Sequence, residues 1–175
     1  NSECLGTACE TEHNQAISAY SAAARIDQNS SMPHLRIAND YVSLEKYDEA
    51  KMEATTAIDK EQKAQYPKNQ PLFGANLALG SAYDGKAGQI REQDPNSECI
   101  EECIKELGNA QSSYEVASNI DPDSSMPHVR IANDLNSLED YDKAIQQSEE
   151  ALSKEQDAQY PKNQPLFGAN LALGS

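Results

Sequence analysis

Between His128 and Leu152 the residues Ile131, Ala132 and Leu135, then Tyr141, Ala144, Ser148, Ala151 and Leu152, fall at steps of three and four, with a break near Glu139. Such spacing lines one face of each of two helices joined by a tight turn. The small residues Ala132 and Ala144 let the two backbones approach closely, and Tyr141 is expected to fill the space at their crossing. Ser30-Ser31 and Ser124-Ser125 each precede Met-Pro, where a hydroxyl can cap a helix and proline suits its first turn. Pro67 and Pro71, with their twins Pro161 and Pro165, break the chain, because a residue before proline avoids the helical region. The pattern predicts about eight helices, near 3–26, 32–43, 46–64, 70–84, 97–119, 126–137, 140–158 and 164–175.

The pattern repeats. Met32 to Ser81 recurs as Met126 to Ser175, a shift of 94 residues, and Ala64 to Ser81 recurs letter for letter as Ala158 to Ser175. Asn1-Ser2-Glu3-Cys4 matches Asn96-Ser97-Glu98-Cys99, and Ala16, Tyr20 and Ala23 match Ala110, Tyr114 and Ala117. Ala82 to Pro95 has no twin in the sequence. The reading is therefore a first unit over 1–81, an inserted connecting segment over 82–95 and a second unit over 96–175. Close identity on solvent-facing as well as core-facing positions means that each unit sees nearly the same surroundings, as in a linear array.

The order His128, Ile131, Ala132, Leu135, Tyr141, Ala144, Ala151, and its copy His34, Ile37, Ala38, Tyr41, Tyr47, Ala50, Ala57, resembles the helix A and helix B positions of a tetratricopeptide repeat (TPR). An interrupted repeat fits between them: Leu79, Gly80 and Tyr83 match helix A, while Ala110, Tyr114, Ala117 and Pro122 match helix B and its closing proline. Two repeats of about 34 residues and about 26 inserted residues account for the 94-residue period. Departures from the family pattern are His34, His128 or Asn76 at the early aromatic position of helix A, and Gln62 or Gln156 at the closing proline. The resemblance implies an all-α, right-handed superhelical solenoid of antiparallel helix pairs, with peptide binding on a concave face lined by A helices.

Read this way, the chain opens on a B helix (Ala16, Tyr20, Ala23) and closes on an A helix (Leu171, Leu173, Gly174), with no polar cap at either end. The open faces are complementary, so the last A helix can receive the first B helix of another copy in a head-to-tail contact that does not close on itself. Either separate chains join into a filament, or the repeats continue in one longer polypeptide; Asn1 in place of Met and the end at Ser175 within a helical pattern read as an excerpt of such a chain. The expected function is a structural or scaffolding array whose partners are copies of itself. The alternative is an adaptor binding a peptide, and no enzyme is expected.

A formal charge of −15 and a pI near 4.4 disfavour nucleic acid and anionic membranes, since phosphate neutralisation needs clustered Lys and Arg. The stretches Pro71 to Gly80 and Pro165 to Gly174 are about half the ~20 residues that span a bilayer. Cys4 with Cys9 and Cys99 with Cys103 form two pairs in equivalent places, which points to disulfides and an oxidising, secreted or extracellular setting. Reduced thiols and zinc are the rivals, though no second close cysteine pair or histidine stands at ligand spacing. Pairing within a regular helix is strained, so a local bond needs an irregular helix start; pairing across helices or copies is the other route. His34 and His128 sit at a helix-packing position, which favours a structural role over ligation, and no phosphate loop, nucleophile elbow or carboxylate pair stands out beside His13. Asp121-Pro122-Asp123 lacks calcium-loop spacing. No cofactor and no metal are expected. Asn29-Ser30-Ser31 is an N-glycosylation sequon on a predicted turn, opposite Asp123-Ser124-Ser125 in the second unit, so used or fortuitous. Arg36 with Asn39, and Arg130 with Asn133, resemble part of the family's carboxylate clamp, whose lysines are replaced by Met32 and Leu35; hydrogen bonding between helices is the alternative role.

Overall fold

The computed structural model describes residues 7–64, 68–93 and 99–157. Those residues form seven helices: α1 Thr7–Ile26, α2 Met32–Ser43, α3 Tyr47–Lys63, α4 Asn69–Gln93, α5 Glu101–Ile120, α6 Met126–Ser137 and α7 Tyr141–Asp157. No strand occurs among the described residues. The eighth expected helix, over 164–175, lies outside them. The chain divides into two compact units, 1–86 and 87–175, with the boundary inside α4.

In the first unit, α2 begins where the sequence places it, with Pro33 in its first turn, and it buries Pro33, Leu35, Ile37 and Ala38. The helix stops in a three-residue turn: Lys46 N–H donates to the Tyr41 carbonyl at 2.9 Å, while Glu45 takes a left-handed conformation at φ 58°. The chain reverses there, so the start of α2 lies beside the end of α3, where the Ser31 hydroxyl donates to Glu61. The core between them consists of Leu35, Ala38, Ala54 and Ala57, closed by Ala75 and Ala78 of α4. Alanine-rich faces permit this close stacking, because the backbones themselves form the packed surface. α1 packs on the other side of α2, where His13 meets Asp40 at 2.8 Å.

The helix expected to stop at residue 84 continues to Gln93, through most of the segment read as a connector. Two features explain this. Leu72 to Leu79 is apolar nearly all round, as in a helix with neighbours on several sides. Farther on, Gly85 lies against the Tyr47 ring in the first unit, and past the boundary Ala87 and Ile90 pack with Cys103 and Leu107 in the second, so the extension is itself packed.

The second unit repeats the α2–α3 arrangement as α6–α7. Ile131, Ala132, Leu135, Ala144, Ser148 and Ala151 are buried, and Glu139 repeats the left-handed turn at φ 60°. A separate cluster of Ala87, Cys103 and Leu107, with Ile90, Cys99 and Leu138 against it, joins the end of α4 to the start of α5. One expected core residue does not behave as such. Tyr141 is 53% exposed, although its twin Tyr47 is partly buried. The cavity that a tyrosine fills here is not made by its own helix pair; in the first unit it is made by α4, through Gly85.

Candidate interaction surfaces

α1 and α5 carry the same Ala, Tyr, Ala face. On α5 it is closed: Ala110, Tyr114 and Ala117 are each 0% exposed. On α1 the matching Ala16, Tyr20 and Ala23 are only partly covered, and Ile26, one turn beyond, is 88% exposed. A tyrosine that its twin shows can be wholly buried is here left partly in water. Leu171, Leu173 and Gly174, the expected other half of the joint, lie outside the described residues.

The Arg and Asn pairs occupy one exposed stripe on each first helix. Met32, Arg36, Asn39 and Ser43 are exposed along α2, and Met126, Asn133 and Ser137 along α6, with Arg130 partly covered. At steps of three and four these residues share a face. The hydrogen bond between helices considered for Arg36 and Asn39 is not formed: among the described residues, neither side chain makes a hydrogen bond or ion pair, and the same holds for Arg130 and Asn133.

The histidines instead bridge helices. His34 Nδ1 lies 2.7 Å from Glu53, and its twin His128 meets Gln147 at 2.8 Å and the Ser118 hydroxyl at 3.0 Å. The change from Glu53 to Gln147 leaves the geometry unchanged, so the contact works as a hydrogen bond with or without a full ion pair. Among the described residues no group of three or more His, Cys, Asp and Glu side chains is placed to hold a metal ion. No helix there is long and apolar enough to cross a membrane.

Cys99 and Cys103 are joined by a disulfide with Cα atoms 5.2 Å apart. α5 starts only at Glu101, with Ile100 extended before it, so Cys99 stands outside the helix and can reach back to the first turn. Cys103 is 2% exposed. Cys9 is disulfide-bonded as well, and Cys4 lies outside the described residues. Asn29 is exposed in the turn between α1 and α2, with its N–H on Asp27 at 3.1 Å.

Two linked arrangements escaped the sequence reading. Ser31 and Ser125, expected to cap α2 and α6, make no side-chain cap bond. Their hydroxyls donate across the helix pair to buried carboxylates, Ser31 to Glu61 and Ser125 to Glu155 at 2.9 Å. A carboxylate is a strong acceptor, and a hydroxyl turned to its own backbone would withdraw this donor from it. Glu61 also accepts the Lys68 N–H at 2.7 Å, which ties the end of α3 to the approach of α4. The second arrangement is the seat of α4 on α3. A Cβ at Gly85 would stand 2.2 Å from Tyr47 Cε1, Lys86 Nζ lies 2.8 Å from Asp48, and Lys51 Nζ sits 5.1 Å from the centre of the Tyr83 ring. Lys86, and after it Lys51, hold the Asp48 carboxyl below the usual carboxylate range. On α7 the matching surface is Tyr141, Asp142 and Ile145.

No protein-family model matches the sequence, and no curated protein matches it. Solved structures do match. A thermophilic TPR protein of Thermus thermophilus aligns over 82% of this chain at 18% identity with a TM-score of 0.63, and this chain spans 66% of that protein's length. YrrB, described as a TPR protein with an unusual peptide-binding site, aligns over 94% of this chain and 85% of its own at 16% identity, with a TM-score of 0.34. With the helix pairs, their order and the first of these likenesses together, the fold of the chain is all-α and tetratricopeptide-repeat-like.

Proposed function

We propose that the chain is a scaffolding array of helical repeats that stacks on further copies of itself, and not an enzyme. The observation that carries this reading is the pair of unequal twins: Ala110, Tyr114 and Ala117 are sealed, whereas Ala16, Tyr20 and Ala23 are half open. Completing the α1 face removes apolar surface from water, at roughly 25 cal/mol per Å². The residues Leu171, Leu173 and Gly174 repeat Leu77, Leu79 and Gly80 of α4, and in chain order α4 is the helix that comes before α5. The α1 face thus matches one that follows this helix sequence in chain order, and a contact between the two is head-to-tail, which grows rather than closes. The same joint serves successive repeats of one longer chain. The Cys99–Cys103 bond supports an oxidising, extracellular setting.

Sedimentation velocity over a range of concentrations tests the reading. The chain is expected to form elongated species, and Tyr20→Arg, which places a charge in the joint, is expected to abolish them. A discrete monomer at every concentration would contradict it. A second reading, peptide capture, is supported by the exposed and uncommitted Arg36 and Asn39, repeated at Arg130 and Asn133. It predicts that a peptide with a free C-terminal carboxylate binds and that Arg36→Ala weakens it by about tenfold, the scale of one lost charge-assisted bond.

A further inference from the structure

The first unit shows how the beginning of a second helix in a pair is covered. Tyr47, Asp48 and Lys51 open α3 on one face, and the Tyr83-Asp84-Gly85-Lys86 stretch of α4 lies on them. Each contact is specific in kind. Gly85 leaves room for the Tyr47 ring, which a Cβ would meet at 2.2 Å; Lys86 binds Asp48 at 2.8 Å; Tyr83 stacks beneath Lys51. α7 presents the same receptor to solvent. Tyr141 is 53% exposed, Asp142 is exposed, and Ile145, in the place of Lys51, is 44% exposed. Residues 83–86 are themselves engaged with α3 in the first unit.

We infer that the Tyr141, Asp142 and Ile145 face of α7 is a docking site for a helix with an aromatic residue, a glycine two positions on and a lysine next, the signature of residues 83–86, supplied by another repeat. Complementarity argues for this occupant over a generic apolar one. Asp142 calls for a cation beside the glycine, as Asp48 does. The Tyr141 ring tolerates only a residue without Cβ at the crossing, by the geometry of its twin. Ile145 replaces the cation of Lys51 with an apolar side chain, which suits the face of the incoming aromatic equally well. The inference deepens the stacking reading, since it names what the far end of the array takes up, but it concerns different residues from the α1 face.

The test uses the full chain, labelled with ¹⁵N, and a synthetic peptide with the sequence of residues 79–93. Saturable amide shifts at Tyr141, Asp142 and Ile145 are expected. Replacing the peptide glycine, Gly85→Val, should weaken binding by at least about tenfold. Peptide Lys86→Glu should weaken it as well, and Asp142→Lys in the chain should restore it, a recovery that damage to folding does not produce. Absence of shifts at these three positions, shifts confined to α1, or indifference to Gly85→Val would overturn the assignment. Loss of self-association in Tyr141→Ser without any peptide binding would overturn it in favour of a second whole copy. The Tyr20→Arg chain separates the two ideas: it should lose concentration-dependent growth yet bind the peptide unchanged. A wild-type chain that binds the peptide but never grows would refute head-to-tail stacking alone.

Discussion

Gly85 and Gly88 stand one turn apart on α4, and alanine at the two positions should change stability in opposite directions. In a helix interior, alanine is favoured over glycine by about 1 kcal/mol. At Gly88 nothing lies within 4 Å of the added methyl, so Gly88→Ala should gain most of that amount. At Gly85 the methyl would lie 2.2, 2.4 and 2.7 Å from three atoms of the Tyr47 ring. Carbon atoms pack at about 3.5–4.0 Å, so the ring must move by more than 1 Å, roughly, or leave its seat. Overpacking of this kind costs about 1–3 kcal/mol, which exceeds the propensity gain. The propensity gain is common to both variants, so they should differ by the overpacking cost of about 1–3 kcal/mol, readable in urea titrations followed by far-ultraviolet circular dichroism. Tyr47→Ala removes the obstacle, and in that background Gly85→Ala should no longer be destabilising. If Gly85→Ala stabilises the wild-type chain as much as Gly88→Ala does, α4 is not seated on Tyr47 and the template for the α7 face is lost.

Three further outcomes follow from the packing. Tyr114→Ala should cost about 3–5 kcal/mol, as for other buried large aromatics, and Tyr20→Ala about half as much or less in dilute solution, measured by thermal and urea denaturation. Ser31→Ala and Ser125→Ala each remove a hydrogen bond from a buried carboxylate and should each cost about 1–3 kcal/mol, whereas a lost helix cap would show as fraying of α2 or α6 alone in hydrogen exchange. Asp48 has a depressed pKa in the folded chain, so its contribution is present above the unfolded value near about 4 and disappears as pH falls through the folded value. Because its side chain is 61% exposed, the contribution is below about 1 kcal/mol, and Asp48→Asn should flatten only the acid limb of the stability profile.

The helix pairs were legible because the same apolar spacing occurs twice; Ile37 and Ala38 with Ile131 and Ala132 mark the core with no knowledge of the neighbours. Other features depended on partners distant in sequence. The extension of α4 to Gln93 has no twin for comparison, and what packs it is the ring of Tyr47, 38 residues before Gly85. Ser31 before Met-Pro reads as a cap, and Glu61 reads as one more solvated acid; only the reversal of the chain at Glu45 brings the two together. Tyr141 was assigned to a crossing by analogy with a helix pair, yet the analogous space belongs to a third helix. The cysteine pair was visible as spacing, but its local connection needed α5 to begin at Glu101, after Cys99. Arg36 and Asn39 could be found from spacing, while their freedom from other helices could not.

Amide hydrogen exchange of α1 against α5, at low and high chain concentration, tests the central claim most directly. Dilute chain should exchange faster around Ala16, Tyr20 and Ala23 than around Ala110, Tyr114 and Ala117, and the difference should close as concentration rises. Equal protection of the two helices in dilute solution, or a gap that concentration leaves unchanged, would contradict the account.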